Sequence, residues 1–211
     1  MRVTRYFQSC LLIEEGDTRI LIDPSAHEKD HDFGELDAVL YTHEHSDHFD
    51  AEMAQTFVEQ GIAPVYANAS TAKFIKASKT VVNDGQEFSM GGLRIKAIEL
   101  PHCLMPDGSR GPQNTGYLIN NRLFHAGDGK ELAGLKAELL AAPITGPDVS
   151  MLDVFNFAKQ VSAKKLIPIH YDIFGANPEL YASFASGKAG AKAFSFPFRV
   201  VVLDIGESIE L

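Results

Sequence analysis

Six consecutive residues, from His43 to His48, combine three histidines with two acidic residues. The apolar run Ala38–Tyr41 comes just before them and predicts a buried strand, so the histidines lie where a strand ends and a loop begins. His43 and His45 are two residues apart and point to the same side of an extended backbone. Neutral imidazole and carboxylate are ligands that suit zinc and its divalent neighbours. The spacing therefore predicts a metal centre that includes His43, His45, Asp47 and His48.

Further histidines and acids stand after other apolar runs, at Asp23, His102, Asp128 and His170. Together with His43-x-His45-x-Asp47-His48 they resemble the signature of the metallo-β-lactamase superfamily, and the resemblance covers nearly the whole chain. The stretch 142–172 is similar to small stand-alone hydrolases such as ascorbate-6-phosphate lactonase and N-acyl-phosphatidylethanolamine phospholipase D. The chain departs from many of those relatives at Gln8, where they carry a histidine.

The resemblance implies an α+β fold, a four-layer αββα sandwich in which two mixed β-sheets carry helices on their outer faces. Residues 1–211 are expected to form it as a single domain, in line with the length of the chain. The resemblance also implies two divalent metal ions per chain, with zinc expected and manganese or iron as alternatives for the same donors. Their expected ligands are His43, His45 and His102 for one ion, Asp47, His48 and His170 for the other, and Asp128 as a bridge.

Such a centre implies hydrolysis. Two neighbouring ions can share a hydroxide, because metal binding lowers the pKa of water from about 15.7 to about 7. Asp47 would orient that hydroxide, and Tyr171 or Arg110 would stabilise the developing oxyanion. Asp23 is either a turn residue before Pro24 or, as the resemblance implies, the acid that supports the histidine loop.

Composition and charge narrow the substrate. The formal net charge of −9 argues against nucleic acid as the main partner. Two divalent ions outweigh two carboxylates and one hydroxide by about one charge, which favours a small anionic lactone, ester or phosphodiester. Arg110 and Gln113, in the polar loop 104–113, are the candidate substrate contacts, although a solvated surface loop is an open alternative. A non-catalytic metal-binding or interaction protein on the same fold is the competing hypothesis.

Other candidate residues are expected to have lesser roles. His27 and His31 would border the cleft, and His125 would face away from the metals on a regular strand. Cys103 adjoins His102, but neighbouring residues of a strand point in opposite directions, so a zinc thiolate is the minor alternative. Free thiols at Cys10 and Cys103, no membrane span and no signal-peptide core predict a cytoplasmic protein.

The elements that must position these residues follow from periodicity and turn residues. An antiparallel meander is predicted to open the fold, with strands at 2–8, 11–14 and 18–22. Helices are predicted at Asp50–Gln60, Thr71–Ala77, Ser150–Val161 and Glu179–Ser186. The remaining predicted strands are Ala38–Tyr41, Pro64–Ala67, Lys79–Val82, Glu87–Met90, Leu93–Leu100, Thr115–Ile119, Leu123–His125, Lys136–Ala141, Lys165–Ile169, Arg199–Leu203 and Ser208–Leu211.

Overall fold

The computed structural model describes residues 1–187 and 196–211, and this part of the chain contains two β-sheets of seven strands each. The strands of the first sheet are β1 (Arg2–Arg5), β2 (Leu11–Glu15), β3 (Thr18–Ile22), β4 (Ala38–Tyr41), β5 (Val65–Ala67), β6 (Thr80–Val81) and β14 (Ser208–Glu210). Those of the second are β7 (Glu87–Met90), β8 (Leu93–Glu99), β9 (Thr115–Ile119), β10 (Leu123–His125), β11 (Leu139–Pro143), β12 (Lys165–Ile169) and β13 (Arg199–Val200).

Both sheets are mixed. In the first, ordered β14-β1-β2-β3-β4-β5-β6, β1 to β3 form the antiparallel meander and β3 to β6 run parallel. In the second, ordered β13-β12-β11-β10-β9-β8-β7, β7 to β10 are antiparallel and β10 to β13 are parallel. Strands β8, β10 and β12 therefore run in the same direction, and their carboxyl ends meet at one edge of the second sheet.

The two sheets pack face to face because their inner faces are continuously apolar. Ile20 and Leu40 of the first sheet share a fully buried cluster with Ile95 and Ile167 of the second. The Tyr117 hydroxyl of the second sheet also donates to the Tyr41 carbonyl of the first sheet across 2.9 Å, so this buried hydroxyl has a hydrogen-bond acceptor.

Within the described residues, three α-helices cover the outer faces: α1 (Ala51–Glu59), α2 (Met151–Gln160) and α3 (Pro178–Ala185). Phe57 of α1 packs against the first sheet, whereas Phe157 of α2 and Tyr181 of α3 pack against the second. The layers are thus helix, sheet, sheet and helix, which confirms the predicted αββα sandwich. No helix within 1–187 or 196–211 has both the length and the apolarity that crossing a membrane requires.

The helices α1, α2 and α3 begin within one residue of their predicted starts. Asp50 accepts a hydrogen bond from the Met53 amide over 2.7 Å at the start of α1. Ser150 and Asp153 form a reciprocal capping box at the start of α2. Asn177 caps α3, which has a proline at its first position.

Four predicted elements need correction. The predicted strand Arg199–Leu203 is confined to Arg199–Val200, the two residues that pair with β12. The predicted first strand, 2–8, ends at Arg5, because Gln8 has a left-handed backbone with φ of 56° that a strand cannot contain. The predicted helix Thr71–Ala77 is a single 3₁₀ turn over Thr71–Phe74, followed by extended backbone at Ile75. The predicted strand Lys136–Ala141 begins later and extends further, over Leu139–Pro143, since it pairs in parallel with β12 to that point.

Candidate metal centre

The residues predicted as metal ligands all follow the carboxyl ends of strands. The histidine loop follows β4, His102 follows β8, Asp128 follows β10 and His170 follows β12. Two groups of donors result, and within each the donor atoms lie within 4.8 Å of one another. They are His43, His45, His102 and Asp128 in the first group, and Asp47, His48 and His170 in the second.

The first group has the dimensions of a tetrahedral site. His43 Nε2 lies 3.3 Å from His102 Nε2, and His45 Nδ1 lies 3.2 Å from each of them. Asp128 Oδ2 completes the set at 3.3 Å from His102 Nε2 and 3.7 Å from His43 Nε2. Four ligands about 2.0–2.1 Å from a central ion are about 3.3–3.4 Å apart in a tetrahedron. The donors therefore fit one zinc-sized ion.

The second group adjoins the first through Asp128. His170 Nε2 lies 3.0 Å from Asp47 Oδ2 and 3.4 Å from Asp128 Oδ2, and His48 Nε2 lies 3.1 Å from Asp128 Oδ1. Asp128 Oδ1 is buried, and because its contact with His48 Nε2 lacks hydrogen-bond geometry it has no hydrogen-bond partner within the described residues. A buried carboxylate oxygen without a donor is costly unless a cation satisfies it. One carboxylate thus faces both groups.

Hydrogen bonds behind the histidines orient their inner nitrogens. His48 Nδ1 lies 2.8 Å from Asp23 Oδ2, His102 Nδ1 2.6 Å from the Cys103 carbonyl, and His170 Nδ1 3.1 Å from the Thr145 carbonyl. These oxygens are acceptors, so each Nδ1 is assigned a proton, and in the neutral ring each Nε2 carries a lone pair directed inward. This tautomer is the one that a metal ligand requires.

Asp23 holds the histidine loop from behind. Its carboxylate is fully buried and accepts from the Thr42 amide and the Thr42 hydroxyl, both over 2.7 Å, as well as from His48. Its backbone is left-handed, with φ of 52°, a conformation that aspartate tolerates better than most residues. The structure thus places Asp23 next to a predicted ligand.

Gln8 is the residue that sequence reasoning did not assign. Its side-chain amide donates to Asp47 Oδ2 over 3.0 Å, and its carbonyl accepts from the His170 amide over 2.9 Å. Its own amide donates to Asp172 Oδ2 over 2.6 Å. The only sequence signal was the departure from relatives at this position, since the left-handed backbone of Gln8 has no signature in the residue type.

The histidines of the two donor groups differ in the direction in which their pKa values are shifted. Burial lowers the pKa of His43 and of His45, which favours the neutral form that binds metal. Burial also lowers the pKa of His102, but hydrogen bonds to Asp128 and Cys103 outweigh burial and raise that pKa to about 10. For His48, burial is outweighed in the same way by the charge of Asp128, and its pKa is raised. A metal ion must displace these protons when it binds.

The carboxylates remain ionised. Burial raises the pKa of Asp47, yet its hydrogen bond with His170 and the charge of His48 lower that pKa well below the ordinary range. Asp128 is affected similarly, because the charges of His48 and His170 overcome its burial and lower its pKa. The carboxylates of Asp47 and Asp128 can therefore act as anionic ligands at neutral pH.

A cleft of about 580 Å³ opens above the donor groups. Its floor contains residues of both donor groups, so a bound molecule would lie against them. The lining residues are His45, Asp47, His102, Cys103, Leu104, Met105, Pro106, Asp128, Thr145, Gly146, Pro147, His170 and Phe174.

The two residues predicted to contact the substrate, Arg110 and Gln113, do not line this cleft. Arg110 and Gln113 line a neighbouring cleft of about 660 Å³, which shares His102 and Leu104 with the first. The Gln113 side chain accepts from the Ser70 amide over 3.2 Å and donates to Glu99 over 2.9 Å.

Tyr171 is buried against α2 and α3. The Arg5 guanidinium stacks 4.4 Å from the centre of its ring. Burial raises the pKa of the Tyr171 hydroxyl, against the charge of Arg5. Tyr171 is not among the described residues that line either cleft beside the donors.

The remaining histidines and cysteines have other partners. The His27 ring packs on Phe7, and the His31 ring packs on Tyr6 and Phe33. His125 Nε2 lies 2.8 Å from the Ser9 carbonyl. Cys10 and Cys103 are buried and form no disulfide with each other. Cys103 lines the cleft with its sulfur 3.6 Å from His102 Nδ1, on the side of the ring opposite the proposed metal.

Comparison with known proteins places the chain in a family. The sequence profile of the beta-lactamase superfamily domain matches residues 2–170. Protein Rv0786c of Mycobacterium tuberculosis is 30% identical over 82% of this chain and 85% of its own length. A UPF0173 metal-dependent hydrolase of Christiangramia forsetii is 28% identical over 100% of both chains.

Solved structures share the fold. Igni18, a metallo hydrolase of Ignicoccus hospitalis, superposes with a TM-score of 0.76 at 21% identity, covering 100% of this chain and 98% of its own. The metallo-β-lactamase fold protein YhfI of Bacillus subtilis gives 0.75 at 19% identity, covering 99% of this chain and 98% of its own. The sandwich, the donor groups and these relatives define a metal-dependent hydrolase. The chain belongs to the metallo-β-lactamase superfamily.

Proposed function

We propose that this hydrolase is dinuclear and that it cleaves a lactone, an ester or a phosphodiester bond in a small molecule. The observation that carries the proposal is the carboxylate of Asp128, which lies 3.3 Å from His102 Nε2 in one group and 3.4 Å from His170 Nε2 in the other. When bound, two divalent ions supply a hydroxide nucleophile near neutral pH and positive charge for the developing oxyanion. Zinc is the first candidate, and manganese or iron would use the same donors.

Asp47 has two roles in this proposal. Its carboxylate faces His170 as a ligand and accepts from Gln8, which holds one oxygen in a fixed direction. Because its pKa is lowered, the carboxylate remains a hydrogen-bond acceptor for the attacking water and orients it towards the substrate. Asp47 lines the cleft, so this water and a bound substrate share the same space.

We assign stabilisation of the developing oxyanion to the positive charge of the metal ions that the donor groups would hold. The proposed contribution of Tyr171 or Arg110 has weaker geometric support, because one side chain is packed under Arg5 and the other lines the neighbouring cleft. The two buried, unpaired cysteines support the proposal of a reducing, cytoplasmic environment.

The test is turnover by protein reconstituted with zinc, manganese or iron. p-Nitrophenyl acetate, bis(p-nitrophenyl) phosphate and γ-butyrolactone represent the ester, phosphodiester and lactone classes. We expect turnover of at least one class, lost with Asp128→Asn and retained with Asp107→Asn, a control at an exposed acid in the loop 104–113. Metal-loaded protein that turns over none of them faster than Asp128→Asn would favour the non-catalytic metal-binding alternative.

A further inference from the structure

The walls of the cleft above the donor groups are apolar. Leu104, Met105 and Pro106 form one stretch of wall, and Pro147 and Phe174 come from two other loops. Among the described residues that line this cleft, charge is confined to the proposed ligands on its floor. Above the donor groups, a bound molecule would therefore meet mostly hydrocarbon and backbone, with the uncharged side chains of Cys103 and Thr145 beside them.

Two of these side chains are exposed large apolar residues. Phe174 is 59% exposed and Leu104 is 39% exposed, although both are anchored beside proposed ligands. The Phe174 ring lies 5.1 Å from the His170 ring, and Leu104 follows two residues after His102. Covering such surface with an apolar group is favourable by about 25 cal/mol per Å².

Arg110, the cation predicted to bind an anionic substrate, has a different environment. It lines the neighbouring cleft together with the acidic residues Asp84 and Glu99. Arg110 therefore shares its cleft with two carboxylates and does not line the cleft that contains both donor groups. The cleft that contains the reacting centre thus offers an apolar group more complementary surface than a second anion.

We infer that the substrate carries an uncharged apolar group, aliphatic or aromatic, which packs against the wall of Leu104–Pro106, Pro147 and Phe174 while its scissile bond lies over the donor groups. The inference rests on the proposed function and names its substrate class. This apolar contact replaces the predicted binding of an anionic substrate by Arg110. A volume of about 580 Å³ is in the range of pockets that enclose a small organic molecule.

The experiment measures binding of alkyl hydroxamates to the zinc-loaded protein by calorimetry. Acetohydroxamate, butanohydroxamate and hexanohydroxamate share one metal-binding head and differ only in chain length. We expect affinity to rise by about fourfold for each buried methylene. Adipic monohydroxamate, which has the length of hexanohydroxamate and a terminal carboxylate, should bind more weakly than hexanohydroxamate. Affinity independent of chain length, or tighter binding of the carboxylate, would overturn the inference.

Variants locate the apolar contact. Phe174→Ala and Met105→Ala should each weaken hexanohydroxamate severalfold and leave acetohydroxamate unchanged, since only the longer chain reaches the wall. Phe74→Ala is the matched control, because Phe74 is 54% exposed and does not line the cleft. Equal losses for both hydroxamates in both variants would overturn the inference. So would a loss specific to adipic monohydroxamate in Arg110→Ala.

Turnover separates this inference from the proposed function. If neutral p-nitrophenyl esters are hydrolysed without any dependence on acyl length, the function stands and the inference fails. If hydroxamates show the expected dependence and no substrate class is hydrolysed, the apolar site stands and the hydrolytic proposal fails. If no hydroxamate binds to the zinc-loaded protein, the metal centre itself is wrong and both fail.

Discussion

Gln8 Nε2 donates a hydrogen bond to Asp47 Oδ2 over 3.0 Å, and the Gln8 backbone bonds to both His170 and Asp172. The segment between the first two strands is thereby tied to the loops after β4 and β12. Gln8 is fully buried, so water cannot replace these bonds at low cost. One residue outside the ligand set thus connects two proposed ligands of the same ion.

Gln8→Glu should lower kcat by about 10–100-fold, the usual cost of losing a partner of a metal ligand. The change keeps the shape of the side chain but replaces the donor that faces Asp47 with an acceptor. Zinc content should stay near that of the natural protein, because the donors themselves remain. Gln86→Glu, in a turn near Asn83, is the control. Unchanged kcat in Gln8→Glu would mean that Gln8 has only a packing role.

Asp23→Asn should lower the free energy of unfolding of the metal-free protein by about 1–3 kcal/mol. The reason is that an amide cannot accept from the Thr42 amide, the Thr42 hydroxyl and His48 together, as the carboxylate does. Urea unfolding in a chelator measures the loss. Asp37→Asn, at an exposed acid that accepts from the Arg19 amide, should cost less. Equal costs would show that the buried network adds nothing to stability.

The donor residues could be predicted because they follow strands that the sequence marks clearly. The run Ala38–Tyr41 is wholly apolar and buried, and its end fixes where His43 and His45 emerge. Residues at the ends of strands with the same direction must meet at one edge of the sheet. The place of the site in the sandwich therefore follows from local patterns together with the family resemblance.

The environment of Arg110 could not be predicted, because contacts distant in sequence shape its loop. The Leu104 amide donates over 2.9 Å to Asp148, which lies 44 residues later, and the Cys103 amide donates to the Asp128 carbonyl. These bonds place Leu104 and Met105 over the donor groups and leave Arg110 beside the neighbouring cleft. No periodicity in the sequence of the loop predicts which of its residues lie over the donor groups.

Glu28 should make stability fall as pH rises through the mildly acidic range. Burial raises its pKa above the ordinary 4.5, although hydrogen bonds from Ser25 oppose the shift. The folded protein therefore holds this proton more tightly than the unfolded chain does. Its contribution is fully present below pH 4.5 and is lost as pH rises through the folded-state pKa.

The check on Glu28 is urea unfolding in a chelator between about pH 4 and pH 8. Relative to Glu28→Gln, the natural protein should lose unfolding free energy as pH increases. Glu35→Gln, at an exposed acid seven residues further along the chain, is the matched control. A pH-independent difference between the natural protein and Glu28→Gln would show that Glu28 titrates alike in both states.

The most direct test of the central claim is the number of metal ions per chain. After reconstitution with zinc and removal of loosely bound metal, elemental analysis should find two ions, one for each donor group. His102→Ala and His170→Ala should each retain one, because they remove ligands from different groups. A firm value of one ion in the natural protein, unchanged in either variant, would contradict the dinuclear centre.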